Sequence, residues 1–194
     1  MPRQPDPQLE DRILSTARKL FVRGGEKALS MRVLAKAAHT NTPAVYRRFR
    51  NRKEILRALL HRTQRDLLAV LEPCRSFGEA CRCTVDFIVE HHHEYQLISA
   101  GVFMKIEEPR VTLEFMKRRS AEWLGGTPED HIRLVLALFG LVHGTGMLLS
   151  SKTVPPNHER EIRLAFADAV EVLVANDAQL SRSARLIPGT RVQT

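Results

Sequence analysis

Apolar residues recur every three or four positions from Leu9 through Ile13, Leu14, Ala17, Leu20 and Phe21. That spacing puts them on one face of a helix and leaves a polar face outside. Gly24-Gly25 stops this helix, as glycine past a last turn does. Ser30 suits the N-cap of a second helix, Met31 to Ala38, with Val33, Leu34, Ala35 and Ala38 turned inward. The polar run His39-Thr40-Asn41 breaks the pattern. Asn41 or Thr42 then caps a third helix over Pro43 to Phe49, and Pro43 is tolerated in its first turn, where its missing N–H has no intrahelical role. Val45 and Phe49, four apart, face a core; Ala44, Arg47 and Arg48 share the opposite face. Asn51 caps a fourth helix to about Leu71. Its apolar side is Ile55, Leu56, Leu59, Leu60, Leu67, Leu68 and Leu71, and Pro73 ends it.

The rest of the chain also reads as helices. Ser76-x-x-Glu79 is a capping box that opens a helix to about His93. Further helical segments are expected from Glu94 to Lys105 and from Pro109 to Leu124, where Gly125-Gly126 interrupts. Thr127-Pro128-Glu129-Asp130 reads as a helix start, with a cap, a proline and acids at the positive end of the helix dipole. The helix running from there to about Ser150 is the most apolar of the chain. Val154-Pro155-Pro156-Asn157 is a turn, and a last amphipathic helix, carrying Ile162, Phe166, Val170, Leu173 and Val174, ends near Ala175. No hairpin pattern and no internal repeat occur, so the expected fold is all-α. Pro2, Pro5 and Pro7 make residues 1–8 a flexible arm, and the polar, arginine-containing residues 179–194 are expected to be a disordered tail.

Charge is distributed unevenly. Residues 1–66 hold 16 Lys+Arg against 6 Asp+Glu, whereas residues 67–194 hold 14 against 16. The whole excess of the +8 chain therefore lies in its N-terminal third, which favours a polyanionic partner for that third. Three cysteines, Cys74, Cys81 and Cys83, form no CxxC pair and fit reduced thiols in a cytoplasm rather than a stapled secreted fold. The longest uninterrupted apolar stretch, Leu134 to Val142, is short of the ~18 residues that span a bilayer. The first residues lack the apolar centre of a signal peptide. A cytoplasmic protein without a membrane partner is expected. His91-His92-His93 cannot chelate one ion from a regular helix, because successive residues point about 100° apart. No Ser-His-Asp or Cys-His order and no glycine-rich phosphate loop is present. No catalytic residue, metal or cofactor is therefore expected, and the chain reads as a non-enzyme.

Two helices joined by a short turn, the second bearing cations, form a helix-turn-helix pattern over about residues 30–49. A helix fits the major groove, where outward side chains reach base edges while neighbours hold phosphates. Arginine serves both tasks through its planar fork of donors.

These residues resemble the N-terminal domain of TetR-type transcriptional regulators, collinearly from about Leu9 to Leu67. The first helix ends in KLFVRGG; Ser30 opens the second; Leu34-Ala35-Lys36-Ala37-Ala38 stands for I-A-x-x-A. Tyr46-Arg47-Arg48-Phe49 closes the recognition helix, and Arg50-Asn51-Arg52-Lys53-Glu54-Ile55-Leu56 opens the linking helix. His39-Thr40-Asn41 stands where the family carries Gly-Val-Ser, and histidine tolerates a left-handed turn better than most side chains. Arg52 stands where the family has a lysine, and Pro43 where it has a small residue.

The resemblance implies a DNA-binding domain over residues 9–67 and an effector-binding, dimerising domain over residues 68–178. By carry-over, Thr42, Ala44 and Arg47 face base edges, and Arg47 is the candidate for bidentate reading of guanine. Tyr46, Arg48 and Arg52 hold phosphates, as do Ser30 and the first amides of its helix; Asn41 caps the recognition helix or touches DNA. The implied function is a ligand-responsive, sequence-specific regulator, most often a repressor, acting as a homodimer on a palindromic double-stranded operator and released by a small effector. A non-specific or architectural nucleic-acid binder would use the same basic patch. Bulk and polarizability single out Phe87, Phe103, Met104, Trp123, His143 and Met147 as effector-pocket candidates. The helix around Leu134 to Leu149, apolar nearly all round and carrying Gly140, Gly144 and Gly146, is a dimer-interface candidate together with the last helix.

Overall fold

The computed structural model describes residues 8–96, 111–151 and 154–182. Every regular element among them is helical: α1 (Leu9–Gly24), α2 (Met31–Ala37), α3 (Thr42–Arg48), α4 (Arg52–Leu71), α5 (Phe77–Glu90), a helical stretch at 92–96, α6 (Val111–Leu124), α7 (Ile132–Ser150), α8 (Pro156–Ala175) and α9 (Asp177–Arg182). A 3-10 turn, Gly25–Ala28, follows α1. The all-α class inferred from periodicity is the observed one.

Local chemistry sets the helix ends. Gly25, at φ 61°, closes α1 with its N–H on the Phe21 carbonyl. Ser76 Oγ accepts from the Glu79 N–H at 3.2 Å while the Glu79 carboxylate accepts from the Arg75 N–H at 2.8 Å, so the capping pair opens α5. The expected start of α7 differs. Thr127–Asp130 forms a separate turn, in which the Asp130 carboxylate accepts from the Thr127 N–H at 2.8 Å and from its hydroxyl at 2.9 Å. These bonds hold the Asp130 carboxyl below its ordinary pKa. The helix itself begins only at Ile132, after His131.

The described residues fall into two compact units. In the first, residues 8–66 with 91–96, the core is Ile13, Ala17, Phe21, Leu34, Ala38, Val45, Phe49, Ile55, Leu59 and their neighbours. Val33 departs from expectation and is 46 % exposed. Leu34, Ala35 and Ala38 span an arc of about 100°, and Val33 lies about 150° from its centre at 100° per residue. The 91–96 stretch groups with this unit rather than with the C-terminal helices. It is tied there by Arg18, whose guanidinium donates to Glu94 at 2.9 Å and approaches Asp66 at 3.5 Å. Burial alone would raise the Glu94 pKa, but the Arg18 hydrogen bond and charge hold it below the usual range.

In the second unit α7 packs on α5, α8, α6 and α9, and α5 also packs on α8. Leu134, Val135, Leu138 and Val142 of α7 are buried, as are Ala80, Val85 and Ile88 of α5. Arg163 joins α8 to α5 through Asp86 at 2.6 Å. Gly146 lets α7 approach α5: a Cβ there would sit 2.7 Å from Ile88 Cδ1. Gly146 therefore serves the interior of its own chain, whereas Gly140 and Gly144 face open space. His131 Nδ1 meets Asp177 at 2.6 Å and its Nε2 meets the Gly125 carbonyl at 2.7 Å. Arg133 donates to the Leu180 carbonyl at 3.0 Å. These two bonds hold Asp177–Arg182 as the helix α9.

As a whole helix α7 is long and apolar enough to cross a membrane, a composition that core helices share. Within it the run Leu134 to Val142 is followed by His143 and Thr145, beyond which Met147, Leu148 and Leu149 continue the apolar composition. Its apolar content belongs to two faces, one packed within the unit and one exposed.

Candidate nucleic-acid interface

The turn between α2 and α3 is built from backbone geometry. Ala38 ends α2, His39 follows at φ 53°, and its N–H donates to the Lys36 carbonyl at 3.2 Å. The Thr40 N–H donates to the Ala35 carbonyl at 2.9 Å. This pair of bonds is the Schellman closure, whose left-handed residue is usually glycine. Here His39 fills it, the only non-glycine residue at positive φ among those described. Arg12 of α1 adds a third bond, donating to the Ala38 carbonyl at 3.2 Å. Periodicity gives no sign of that contact, because Arg12 lies on the polar side of α1.

Caps then fix the two short helices. Ser30 Oγ accepts from the Val33 N–H at 3.2 Å, and Asn41 Oδ1 accepts from the Ala44 N–H at 2.9 Å. Each satisfies an amide that the helix leaves open. Asn51 Oδ1 accepts from the Glu54 N–H at 3.0 Å and the Glu54 carboxylate returns to the Arg50 N–H at 2.7 Å, starting α4 directly behind α3. Phe49 sits at the end of α3 in extended backbone and is buried.

The seven residues of α3 are thereby sorted. Val45 is fully buried, while Tyr46, Arg47 and Arg48 are exposed and Thr42 is half-buried. Ala44 is a correction: at 4 % exposure it cannot present a base-reading surface. Its methyl shares the core with Ala35 and Ala38, and small side chains there let α2 and α3 approach. Among the described residues Arg47 makes no ion pair. Arg48 lies 3.8 Å from Glu10 of α1, and Arg52 lies 2.8 Å from Glu26 of the 3-10 turn. Both pairs are solvent-exposed, so each contributes about 0–1 kcal/mol and yields readily to a stronger anion. No local pattern in the sequence points to Glu10 and Glu26, since their partners are distant in the chain.

The proposed effector residues are scattered by comparison. Phe87 is a core residue of α5. Trp123, at the end of α6, meets Phe77 edge-to-face at 5.1 Å. His143 stacks on the exposed Phe139 at 6.4 Å, and Met147 lies one turn further along that same stripe of α7. His143 and Met147 are both half-buried. Phe103 and Met104 lie outside the described residues. No group of three or more metal-ligating side chains occurs among the described residues.

Residues 13–59, which take in most of α1, all of α2 and α3 and the first turns of α4, match the family model for bacterial regulatory proteins of the tetR family. The N-terminal helices of this chain are thus similar to that family over those residues. Solved structures extend the likeness in fold beyond them. A TetR-like transcriptional regulator from Rhodococcus sp. RHA1 superposes with a TM-score of 0.64 at 19% identity, covering 91% of this chain and 99% of its own. A protein of unknown function from the same organism gives 0.69 at 21%, covering 90% and 98%. A putative transcriptional regulator from Streptomyces coelicolor gives 0.63 at 19%, covering 85% and 97%. No curated protein matches the chain. These structures share the fold of this chain over most of its length, and the helix-turn-helix is the segment from Ser30 to Phe49.

Proposed function

We propose that this protein is a homodimeric, sequence-specific transcriptional regulator that represses from a palindromic operator and is released by a small, apolar effector. One observation carries the reading. A short helix is locked by Val45 and Phe49 into a core and turns Tyr46, Arg47 and Arg48 to solvent. A helix so anchored can enter the major groove without losing its packing. Arg47 reads a base edge, with Thr42 beside it. Tyr46, Arg48 and Arg52 hold phosphates, and Ser30 and Asn41 fix the two helices through their caps. The protein works where its DNA is, in the cytoplasm, and performs no catalysis.

The dimer reading rests on α7 and α8. Leu136, Phe139 and Leu148 of α7 and Leu164 and Val172 of α8 are 46–61 % exposed. Apolar side chains in such number on two adjoining helices mark an association surface. Two copies joined there would present two recognition helices to successive major grooves. The effector would act from the second unit, and its coupling to DNA would be reciprocal.

Selection of bound sites from random duplex DNA, followed by titration of wild type and Arg47→Ala, tests the proposal. The expected results are a palindromic consensus, a preference of at least ~10³ over random duplex, and a loss of most of that preference in the variant. Equal affinity for all duplexes would establish the non-specific binder instead. Unchanged specificity in Arg47→Ala would remove α3 from the reading role.

A further inference from the structure

Carboxylates occupy two of the arginines assigned to the proposed DNA surface, Arg48 and Arg52. Among the described residues of the first unit, Glu10 lies against Arg48, Glu26 against Arg52 and Asp11 against Arg62, at 3.8, 2.8 and 4.0 Å. Arg48 closes the recognition helix and Arg52 opens α4 directly after it. Their carboxylate partners come from elsewhere, Glu10 from α1 and Glu26 from the 3-10 turn. Residues 1–66 hold only 6 acidic residues against 16 basic ones, so acids placed on these two arginines are a specific use of a scarce group.

We infer that Glu10 and Glu26 are internal competitors of DNA phosphate, occupying Arg48 and Arg52 in the free protein so that random-sequence DNA is held more weakly. The inference rests on the DNA-binding reading above. A guanidinium bonds a carboxylate and a phosphate through the same planar donor edge, so Arg52 at 2.8 Å from Glu26 must exchange one for the other. The exchange penalises the phosphate contacts of these two arginines whatever the sequence. Occupancy of random duplex, which rests on phosphate contacts alone, therefore falls furthest. A site that adds base contacts through Arg47 stays occupied. Both pairs are exposed, which keeps the penalty small enough to overcome.

The test uses the full-length protein and a random-sequence duplex at fixed, low salt. Glu26→Gln keeps the shape of the side chain and removes its charge. It is expected to tighten binding about two- to fivefold, the worth of an exposed ion pair. The decisive arm is a double-mutant cycle: the gain should vanish in an Arg52→Gln background. Glu10→Gln with Arg48→Gln repeats the cycle for the longer pair, with a smaller gain. A gain that persists without Arg52 would reflect long-range charge alone and overturn the inference. No gain, or weaker binding in Glu26→Gln, would likewise overturn it. If Arg52→Gln and Arg48→Gln by themselves leave duplex binding unchanged, the interface assignment fails instead, which is a distinguishable result. Circular dichroism of each variant checks that the helices are retained.

Discussion

His39 offers a sharp test of how the helix-turn-helix is held. It occupies the closing position of α2 at φ 53°, where its N–H and that of Thr40 reach back to Lys36 and Ala35. Its side chain is exposed, so substitution there removes little packing. An L-residue in the left-handed region costs about 1–2 kcal/mol relative to glycine. Glycine returns about 0.4–1 kcal/mol of that through its freer unfolded chain. His39→Gly should therefore stabilise the unit by about 0.5–1 kcal/mol, the difference of those two effects. His39→Val should destabilise it by about 1 kcal/mol or more, since a β-branched residue is a genuine outlier at positive φ. In urea, with a slope of about 2 kcal/mol per M, the midpoint of the glycine variant should rise by about 0.25–0.5 M and that of the valine variant should fall by about 0.5 M. Amide exchange gives a local readout: the Thr40 N–H should gain protection in His39→Gly and lose it in His39→Val. A glycine variant less stable than wild type, or a valine variant equal to it, would show that the turn is not held by this geometry.

Two further tests address the second unit. Gly146→Ala should destabilise by about 1–3 kcal/mol, because the added methyl lands 2.7–2.8 Å from Ile88 Cδ1, Cβ and Cγ2; Gly144→Ala, in open space, should be neutral or stabilising by up to about 1 kcal/mol through helix propensity. A reversed order in thermal melts would refute the packing assignment. His131 has an oxygen against each ring nitrogen, Asp177 Oδ2 at 2.6 Å and the Gly125 carbonyl at 2.7 Å, an arrangement that favours the protonated ring. Burial alone would lower its pKa, but the Gly125 and Asp177 hydrogen bonds and the charges of Asp177 and Asp130 hold it above 6.5. The sign follows: its contribution to stability is complete below 6.5 and is lost as pH rises through the elevated folded value. Asp177→Asn should flatten that dependence, and an unchanged profile of melting temperature against pH would exclude the pair as its source.

Most of the fold was legible because long helices over a core leave a periodic trace. The buried set of α1, from Leu9 to Phe21, is the periodic set apart from Leu20, which is half-buried. Caps were legible for the same reason, since Ser30, Asn41, Asn51 and Ser76 act within three residues of themselves. Errors came where helices are too short for periodicity to average or where a distant contact decides. Seven-residue α2 and α3 each misplaced one residue: Val33 faces solvent and Ala44 is covered by a close neighbour. The late start of α7 follows from His131, whose ring is bound on both sides by residues at positions 125 and 177. No local pattern announces such a clamp.

The site shows the same division with more consequence. That α3 carries cations outward is a local fact, readable from Val45 and Phe49 four apart. What those cations do when no DNA is present is a tertiary fact. Arg47 and Arg48 are neighbours with the same chemistry, yet Arg48 has Glu10 within 3.8 Å and Arg47 makes no ion pair among the described residues. The difference arises because α1 crosses near one end of α3 and brings an acid to it, at a separation of nearly forty residues. For two arginines of equal intrinsic affinity for phosphate, the one that must first leave a carboxylate contributes less to every complex it joins. On the proposed DNA-binding reading, Arg47, which makes no ion pair among the described residues, is therefore the better placed to respond to the base sequence, and Arg48 and Arg52 to set the level from which that response is measured.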